Sequence, residues 1–422
     1  MTTTTSTTPA DRGWHLTGLP VVVLVAFVAA VAQSFGRFTL GVVLPAVRND
    51  LGLSNTLAGS LATVNVGAYL IGTLAAGWAT ARFRLLSVMR VGVTLVAAAM
   101  LSATLATGAA ALAGALFVMG FGGALTWIPA PVVAASALAP QRRGLAVAMM
   151  ASGMGLGVVF SGQLAGFTRA AQGDEAWRTV YLVQGLIGAV VVAGAWLLLA
   201  QRQTRPSQGS GPGGFAVLRR MNGWLPFTVA YTAFGFMYLL ILAFLTTKLE
   251  DDNGWTSSRA SLAFTLLGVA IVFGGPTFVA LARRTGPRRA LALAFGGWIA
   301  ATLVLLPGWV VPTLAVSAVA GLLFAGIPTL ITLYVVTNTS DEDYGPTFAA
   351  ATFAFGAAQM ISPQLGGSIA DLAGSFTPVF LLSAGLAAIG LGAALRLPST
   401  RLGGSEGPRP APGTGSGRTA NG

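Results

Sequence analysis

Arg37 is the only formal charge that we place deep inside an apolar segment of this 422-residue chain. It lies within the stretch 19–46, and the ten residues on either side of it are uncharged. A charge in hydrocarbon costs about 2.5–3.5 kcal/mol on insertion scales, and such residues usually serve a function. The guanidinium is a planar fork of five N–H donors that suits a carboxylate or a phosphate. We therefore predict that Arg37 binds an anionic substrate; the alternative is a structural arginine tied to backbone carbonyls or to Gln163.

Polar and aromatic residues lie at a similar depth in other apolar segments. Residues four apart share a helix face, which pairs Gln33 with Arg37 and Asn65 with Tyr69. In membranes such side chains often only join helices, at about 0.6 kcal/mol per hydrogen bond. The predicted substrate-binding set is Arg37, Gln33, Asn65, Tyr69, Trp127, Tyr231, Tyr238 and Gln359.

The predicted membrane interior contains no acidic residue. All twelve Asp and Glu residues fall in predicted tails, loops or segment ends. No carboxylate is then available at mid-membrane to carry a proton or to pair with a cationic drug, so a cavity around Arg37 favours organic anions. The chain has no cysteine, and its one histidine, His15, lies near the N-terminus. We expect no metal, no cofactor and no enzyme activity, because no nucleophile–base pair or phosphate loop is recognisable.

The composition predicts an all-α integral membrane protein. Hydrophobic residues make up 54% of the chain, charged residues only 9%, and the mean hydropathy is +0.76. Soluble proteins carry about 25% charged residues, and a helix needs about 20 apolar residues to cross a bilayer. Twelve stretches qualify as transmembrane helices: 19–46, 54–81, 87–107, 109–138, 144–168, 177–200, 224–247, 258–282, 289–307, 311–338, 345–370 and 375–396.

The net charge is +12, and the basic residues that produce it cluster in every second loop rather than on one surface. If the N-terminus is cytoplasmic, eighteen of the 24 Lys and Arg residues lie inside and five lie outside. By the positive-inside rule we expect both termini to be cytoplasmic. We also expect the protein to lie in the cell inner (plasma) membrane. This distribution accounts for the charge without a nucleic-acid partner, and we expect a monomer in the lipid bilayer.

A polar break at mid-chain leaves six predicted helices on each side. Residues 201–223 are rich in Gly, Pro and Ser and are expected to form a flexible cytoplasmic linker. The tails, 1–18 and 397–422, have the composition of disordered segments. We therefore predict an N-terminal six-helix bundle at 19–200 and a C-terminal one at 224–396.

The two halves also repeat each other. Five residues of the fifth segment recur in the eleventh at an offset of 201: Gly144, Ser161, Gln163, Leu164 and Gly166 recur as Gly345, Ser362, Gln364, Leu365 and Gly367. In the first segment, residues 34–36 are echoed by 233–235 at an offset of 199, which pairs Arg37 with Phe236. Such repeats are typical of transporters, whose site lies near the midplane between the repeats. We expect the N-terminal half to hold most of the anion.

With these repeats the chain resembles the major facilitator superfamily over residues 19–396. The loop after the second helix of that family usually reads Gly-x-x-x-Asp-Arg-x-Gly-Arg-Arg. Here residues 77–86 place Ala81 at the Asp and Arg84 at the second Gly, and the copy at 283–289 also lacks the Asp. The charge-relay gate that the family builds with that Asp is therefore not carried over to these positions.

A closer resemblance is to the YbfB/YjiJ-like bacterial group. The matching residues are Gly36-Arg37-Phe38, Leu44-Pro45, Asn65, Tyr69, Gly72, Arg143-Gly144, Gly153, Gly155 and Gly157. The resemblance implies two pseudo-symmetric six-helix bundles and secondary active transport of a small solute by alternating access. The alternatives are a multidrug or metabolite efflux transporter, although residues 153–157 lack the Gly-Pro pair of drug antiporters, and a receptor or scaffold that does not transport.

Gating roles are predicted near the two ends of the helices. Gln163 and Gln364 lie near outer ends, where packing or gating is expected rather than ligand binding. The acidic run 341–343 is expected to pair with loop arginines when the cavity is closed inward; the alternative is a solvated loop. The charged residues in this set are Arg82, Arg143, Arg284, Asp341, Glu342 and Asp343.

Overall fold

The computed structural model describes residues 16–199 and 214–398, without the side chains of Asp341 and Glu342. Twelve long helices occupy these residues: α1 Leu19–Asp50, α2 Asn55–Arg82, α3 Leu85–Ala103, α4 Ala109–Ser136, α5 Arg143–Gln172, α6 Ala176–Leu198, α7 Trp224–Asp251, α8 Ser257–Thr285, α9 Pro287–Leu305, α10 Val310–Asn338, α11 Asp341–Ala373 and α12 Thr377–Arg396. They coincide with the twelve predicted segments. Apart from residues 16–18 and 397–398, the predicted disordered tails lie outside the described residues, as does most of the predicted linker.

Length and apolar composition qualify ten segments of the described chain as membrane spans. One of them, Pro140–Leu198, contains both α5 and α6, and α11 falls outside this set. The predicted all-α architecture is confirmed, with α1–α6 packed into one bundle and α7–α12 into the other.

The two bundles meet along three helix pairs, which are α1 with α7, α2 with α11, and α5 with α8. Glycines allow the close approach. A Cβ atom at Gly41 of α1 would lie 2.2 Å from the carbonyl oxygen of Leu242 in α7. At Gly162 of α5 it would lie 2.4 Å from Oγ1 of Thr265 in α8. Small residues thus let helix backbones pack tightly where hydrophobic burial gives no driving force.

The connections lie on two faces. The terminal face carries the ends of the two bundles and the connections at 83–84, 137–142, 286 and 339–340. The distal face carries the connections at 51–54, 104–108, 173–175, 252–256, 306–309 and 374–376. Two equivalent helices begin at the distal face with a capping residue: Ser54 accepts from the amide of Leu57 in α2, and Thr256 accepts from the amide of Arg259 in α8. Such a cap stabilises a helix by about 1 kcal/mol.

Several equivalent helix ends, including those of α1 and α7, are 201 residues apart. Helix α1 ends at Asp50 and α7 at Asp251, and α6 begins at Ala176 and α12 at Thr377. Both pairs are 201 residues apart, as in the α5 and α11 repeat. The structural counterpart of Arg37 is therefore Tyr238, and the alignment with Phe236 was shifted by two residues.

Candidate functional site

Helix α1 changes geometry at the segment that carries Arg37. Residues Ala30–Phe38 form a π-helix, in which hydrogen bonds close from i to i+5 and which is frequent at functional sites. The prediction that Gln33 and Arg37 share one helix face assumed an unbroken α-helix. The π-helix changes the angle between these two side chains, so the prediction does not hold in that form. Gln33 is buried, with no described partner for its Nε2 atom.

The guanidinium of Arg37 reaches across the contact between the bundles. Its Nη2 atom donates to Oη of Tyr238 in α7 at 3.4 Å and to Oε1 of Gln359 in α11. The ring of Tyr69 in α2 lies 4.4 Å from the guanidinium carbon, which allows a cation–π contact. Gln163, the suggested structural partner, donates instead to Oγ1 of Thr265 at 3.0 Å.

The partners of Arg37 are all electrically neutral. No described Asp or Glu side chain pairs with it, because the ion pairs of the described residues lie near the distal face. The Nε atom is also buried without a described hydrogen-bond acceptor. A buried charge is costly unless it is paired, so this arrangement can bind an anion that supplies the missing negative charge.

Asn65 supports the π-helical segment from the neighbouring helix. Its Nδ2 atom donates to the carbonyl oxygens of Gly36, at 3.0 Å, and Leu116, at 2.8 Å. Both amide protons are thereby used to join α2 to α1 and α4. Its Oδ1 atom has no described partner.

In the C-terminal bundle, aromatic rings pack around Tyr238, one of the two acceptors of Arg37. Tyr238 lies 5.0 Å from Phe324 in α10 and 5.0 Å from Phe234 in α7, measured between ring centroids. Tyr231 stacks on Phe355 in α11 at 4.4 Å. These phenylalanines were absent from the predicted set, although the four-residue spacing of Phe234 and Tyr238 signals a shared helix face. Trp127, by contrast, is half-buried against the hydrophobic core and is not among the ring or hydrogen-bond partners of Arg37.

A small cavity of about 30 Å³ lies beside Arg37 on its distal side. Asn65 and apolar residues of α1, α2 and α7 line it, among them Ala62 and Leu239. A water molecule fits such a volume, whereas an organic solute does not. The site is therefore closed toward the distal face.

Ion pairs and hydrogen bonds between the bundles form that closure, and none of them was predicted from the sequence. Arg169 of α5 donates to both carboxylate oxygens of Glu250 in α7, at 2.6 and 2.8 Å. Arg48 of α1 donates to Asp251, with Nη2 3.0 Å from Oδ1. Oδ2 of Asp371 in α11 accepts from the amide of Thr56 in α2 at 2.7 Å.

The predicted gating glutamines also lie at contacts between the bundles. Gln163 reaches α8, as described above, and the backbone amide of Gln364 in α11 donates to Oγ1 of Thr63 in α2 at 3.2 Å. Their packing or gating role remains a prediction.

The terminal halves of the bundles have a different arrangement. Helix α4 packs mainly on α1, α2, α3 and α5, and α10 packs mainly on α7, α8, α9 and α11. The Phe324 ring of α10 also meets the Phe38 ring of α1 across the bundles, at 5.8 Å. Arg82, Arg143 and Arg284 are exposed. Asp343 is half-buried, and its backbone amide donates to the capping Ser340. The side chains of Asp341 and Glu342 lie outside the described residues, so the pairing of this acidic run with loop arginines stays a prediction.

Comparisons with known proteins give a family from the sequence and a fold from the structure. The profile described as "Uncharacterised MFS-type transporter YbfB" matches residues 29–395. The structure is similar to that of a bacterial homologue of the human lysosomal transporter Spinster, solved inward-facing and unoccupied, with a TM-score of 0.72 and 15% identity over 88% of this chain and 96% of that one.

It is also similar to the structure of a variant of the nucleoside transporter NupG, with a TM-score of 0.73 and 13% identity over 89% of this chain and 98% of that one. At these identities the likeness shows the fold alone. No match was found among curated protein sequences.

Proposed function

Since the chain belongs to the YbfB group of the major facilitator superfamily, whose members are membrane transporters, we propose that it carries a small organic anion by secondary active transport. Arg37 is the residue that holds the negative charge. The anion binds where α1 of the N-terminal bundle meets α7 and α11 of the C-terminal bundle.

The observation that carries this proposal is the neutral environment of Arg37. Its fork donates to a phenol and an amide, Tyr238 and Gln359, although a carboxylate is the stronger acceptor for a guanidinium. A substrate carboxylate gains an ion pair by replacing them. A lipophilic cation finds no described carboxylate at this site, which is why an anion is favoured over the cationic drugs of an efflux transporter.

Alternating access is supported by the difference between the two faces. The bundles are joined toward the distal face by the bonds of Arg169 with Glu250 and of Asp371 with Thr56, and by the close approach of Gly41 to Leu242. The arginine-rich loops of the terminal face fit a cytoplasmic location under the positive-inside rule. We infer that this is an inward-facing state in an inner (plasma) membrane, and that transport proceeds as the terminal halves close and the distal face opens.

The test is uptake of radiolabelled carboxylates into proteoliposomes. The proteins compared are the wild type, Arg37→Ala, Arg37→Lys and the control Arg259→Ala, which removes an exposed arginine at the start of α8. We expect Arg37→Ala to abolish uptake and Arg37→Lys, which keeps the charge but loses the fork, to retain a small part of it. Arg259→Ala should transport as the wild type does. Full uptake by Arg37→Ala overturns the proposal.

A further inference from the structure

Five aromatic rings form a continuous stack from Arg37 toward the terminal face. We call them the ring column; its members are Tyr238, Phe355, Tyr231, Phe348 and Tyr344. Successive ring centroids are 6.2, 4.4, 6.2 and 5.8 Å apart, and the interplanar angles are 17°, 17°, 24° and 9°. The rings are therefore nearly parallel along the whole column.

Some aromatic contacts elsewhere in the described chain are also parallel, as between Phe227 and Tyr334 at 16°, but others are edge-to-face. Phe234 and Trp298 meet at 84°, and Trp177 and Tyr181 meet at 82°. Both offset stacking and edge-to-face contacts are favourable between aromatic side chains. A column with one orientation offers the same stacking geometry at each step to another planar ring.

The column faces the contact between the bundles. Its α11 members, Tyr344, Phe348 and Phe355, continue along one helix face to Gln359, because the spacings of 4, 7 and 4 residues follow the helical repeat. Gln359 accepts from Arg37 of the opposite bundle. The same face of α11 therefore runs from the terminal end of the helix to the anion-binding guanidinium.

The α11 rings of the column are more exposed than its α7 rings. Tyr344, Phe348 and Phe355 are half-buried, whereas Tyr231 and Tyr238 are buried. Rings that only packed α7 against α11 would not need accessible faces at the terminal end. Tyr344 and Phe348 lie in the first turns of α11, near the terminal face and away from the ion pairs that join the bundles at the distal face.

From this geometry we infer that the transported anion is a planar aromatic carboxylate. Its carboxylate replaces Gln359 as the acceptor of Arg37, and its ring joins the offset stack at Phe355 and Tyr238. Tyr69 covers one face of the guanidinium and leaves the N–H edge for the carboxylate. This inference rests on the proposed function, since it names the chemistry of the anion held by Arg37.

Binding of matched aromatic and saturated acids tests the inference. The probes are benzoate and 2-naphthoate, each compared with its saturated counterpart, cyclohexanecarboxylate and decahydronaphthalene-2-carboxylate. Calorimetric titration of the purified protein gives Kd, and counterflow in proteoliposomes shows whether each acid is transported. We expect at least one aromatic acid to bind about tenfold more tightly than its saturated counterpart, the size of one favourable ring contact.

Substitutions at Phe355 test whether the preference for aromatic acids comes from the ring column. Phe355→Leu keeps an apolar side chain and should remove the aromatic preference, and Phe355→Tyr should restore it. Phe353→Leu is the matched control, because Phe353 lies on the same helix but contacts Phe215 outside the column and is 47% exposed. That variant should bind as the wild type does.

The outcomes separate this inference from the proposed function. If aromatic and saturated acids bind equally and Arg37→Ala abolishes both, the aromatic inference is overturned while anion binding stands. The same conclusion follows if Phe355→Leu keeps the full aromatic preference, in which case the column only packs the helices. If carboxylates bind and are transported equally well by Arg37→Ala, the proposed function itself fails.

Discussion

Nη2 of Arg37 donates to Oη of Tyr238 at 3.4 Å, and the two residues are 201 positions apart. The same offset separates Gly41 and Leu242, which touch one turn further along the same helix pair. Equivalent positions of the two halves therefore meet each other, as residues on a pseudo-twofold axis must. The repeat differs in charge at this point, since one half presents a guanidinium and the other a phenol.

A carboxylate introduced beside Arg37 should replace the substrate. We expect Gln359→Glu to form an ion pair with Arg37, to raise the melting temperature and to abolish binding of carboxylates. Charge-assisted hydrogen bonds are about twice as strong as neutral ones, so the internal acid competes with any external one. Gln364→Glu, an exposed position five residues along α11, is the control and should leave binding unchanged. Normal carboxylate affinity in Gln359→Glu would show that Arg37 does not contact the anion.

Loss of the Arg169–Glu250 ion pair should open the distal face. The side chain of Arg169 is only 3% exposed, and removing one partner of a buried pair costs about 3–5 kcal/mol. Because the natural chain has no cysteine, Ala62→Cys, at a half-buried position in the lining of the small cavity, can report access from the distal side. We expect a membrane-impermeant thiol reagent to label Ala62→Cys at least tenfold faster when Glu250→Gln is added.

Leu105→Cys controls for reagent reactivity in the same experiment. Leu105 is 80% exposed in a distal connection and should react equally in both backgrounds. Equal labelling of Ala62→Cys with and without Glu250→Gln would mean that this ion pair does not hold the distal face closed.

A methyl group at Gly41 should prevent the same closure by a steric route. Its Cβ would lie 2.2 Å from the carbonyl oxygen of Leu242, so the bundles must separate at this contact. We expect Gly41→Ala to increase labelling of Ala62→Cys and to slow transport severalfold. Gly77→Ala is the matched control, because no atom lies within 4 Å of the added Cβ in α2. A similar effect of both substitutions would point to helix propensity rather than to contact between the bundles.

Removal of the Asn65 amide should weaken both the fold and the site. Asn65→Leu loses two hydrogen bonds to α1 and α4, and at about 0.6 kcal/mol each this costs about 1 kcal/mol of stability. One bond holds the carbonyl of Gly36, next to Arg37, so carboxylate affinity should also fall. Thr80→Val, which loses only hydrogen bonds within its own helix, should lower affinity by much less. Thermal unfolding and calorimetric titration measure the two effects.

The helices and the importance of Arg37 could be predicted because both follow from the cost of transfer into lipid. Apolar length alone located twelve helices, and a single charge at mid-depth was conspicuous in that setting. Four of the eight predicted site residues, Arg37, Tyr69, Tyr238 and Gln359, meet at one point. The contacts among these four residues could not be predicted from the sequence, because they depend on how α7 and α11 pack against the N-terminal bundle.

Residue spacing did not predict the π-helical segment Ala30–Phe38. It also gave the wrong repeat partner for Arg37. A π-helical turn shifts the register of every residue after it, and nothing in residue spacing marked it. The distal ion pairs were missed for a similar reason. Arg169 and Glu250 lie at the ends of different helices, 81 residues apart, and only the packing of the bundles brings them together.

By itself, then, the sequence determined the membrane fold, its twofold repeat and the presence of one charge at mid-depth, since these depend on composition and position along each helix. The tertiary structure decided the partners of that charge, the closure of the distal face and the alignment of the ring column. Those features depend on how helices far apart in the chain are placed relative to one another. That placement is fixed by side-chain contacts over a few ångströms, which hydropathy does not describe.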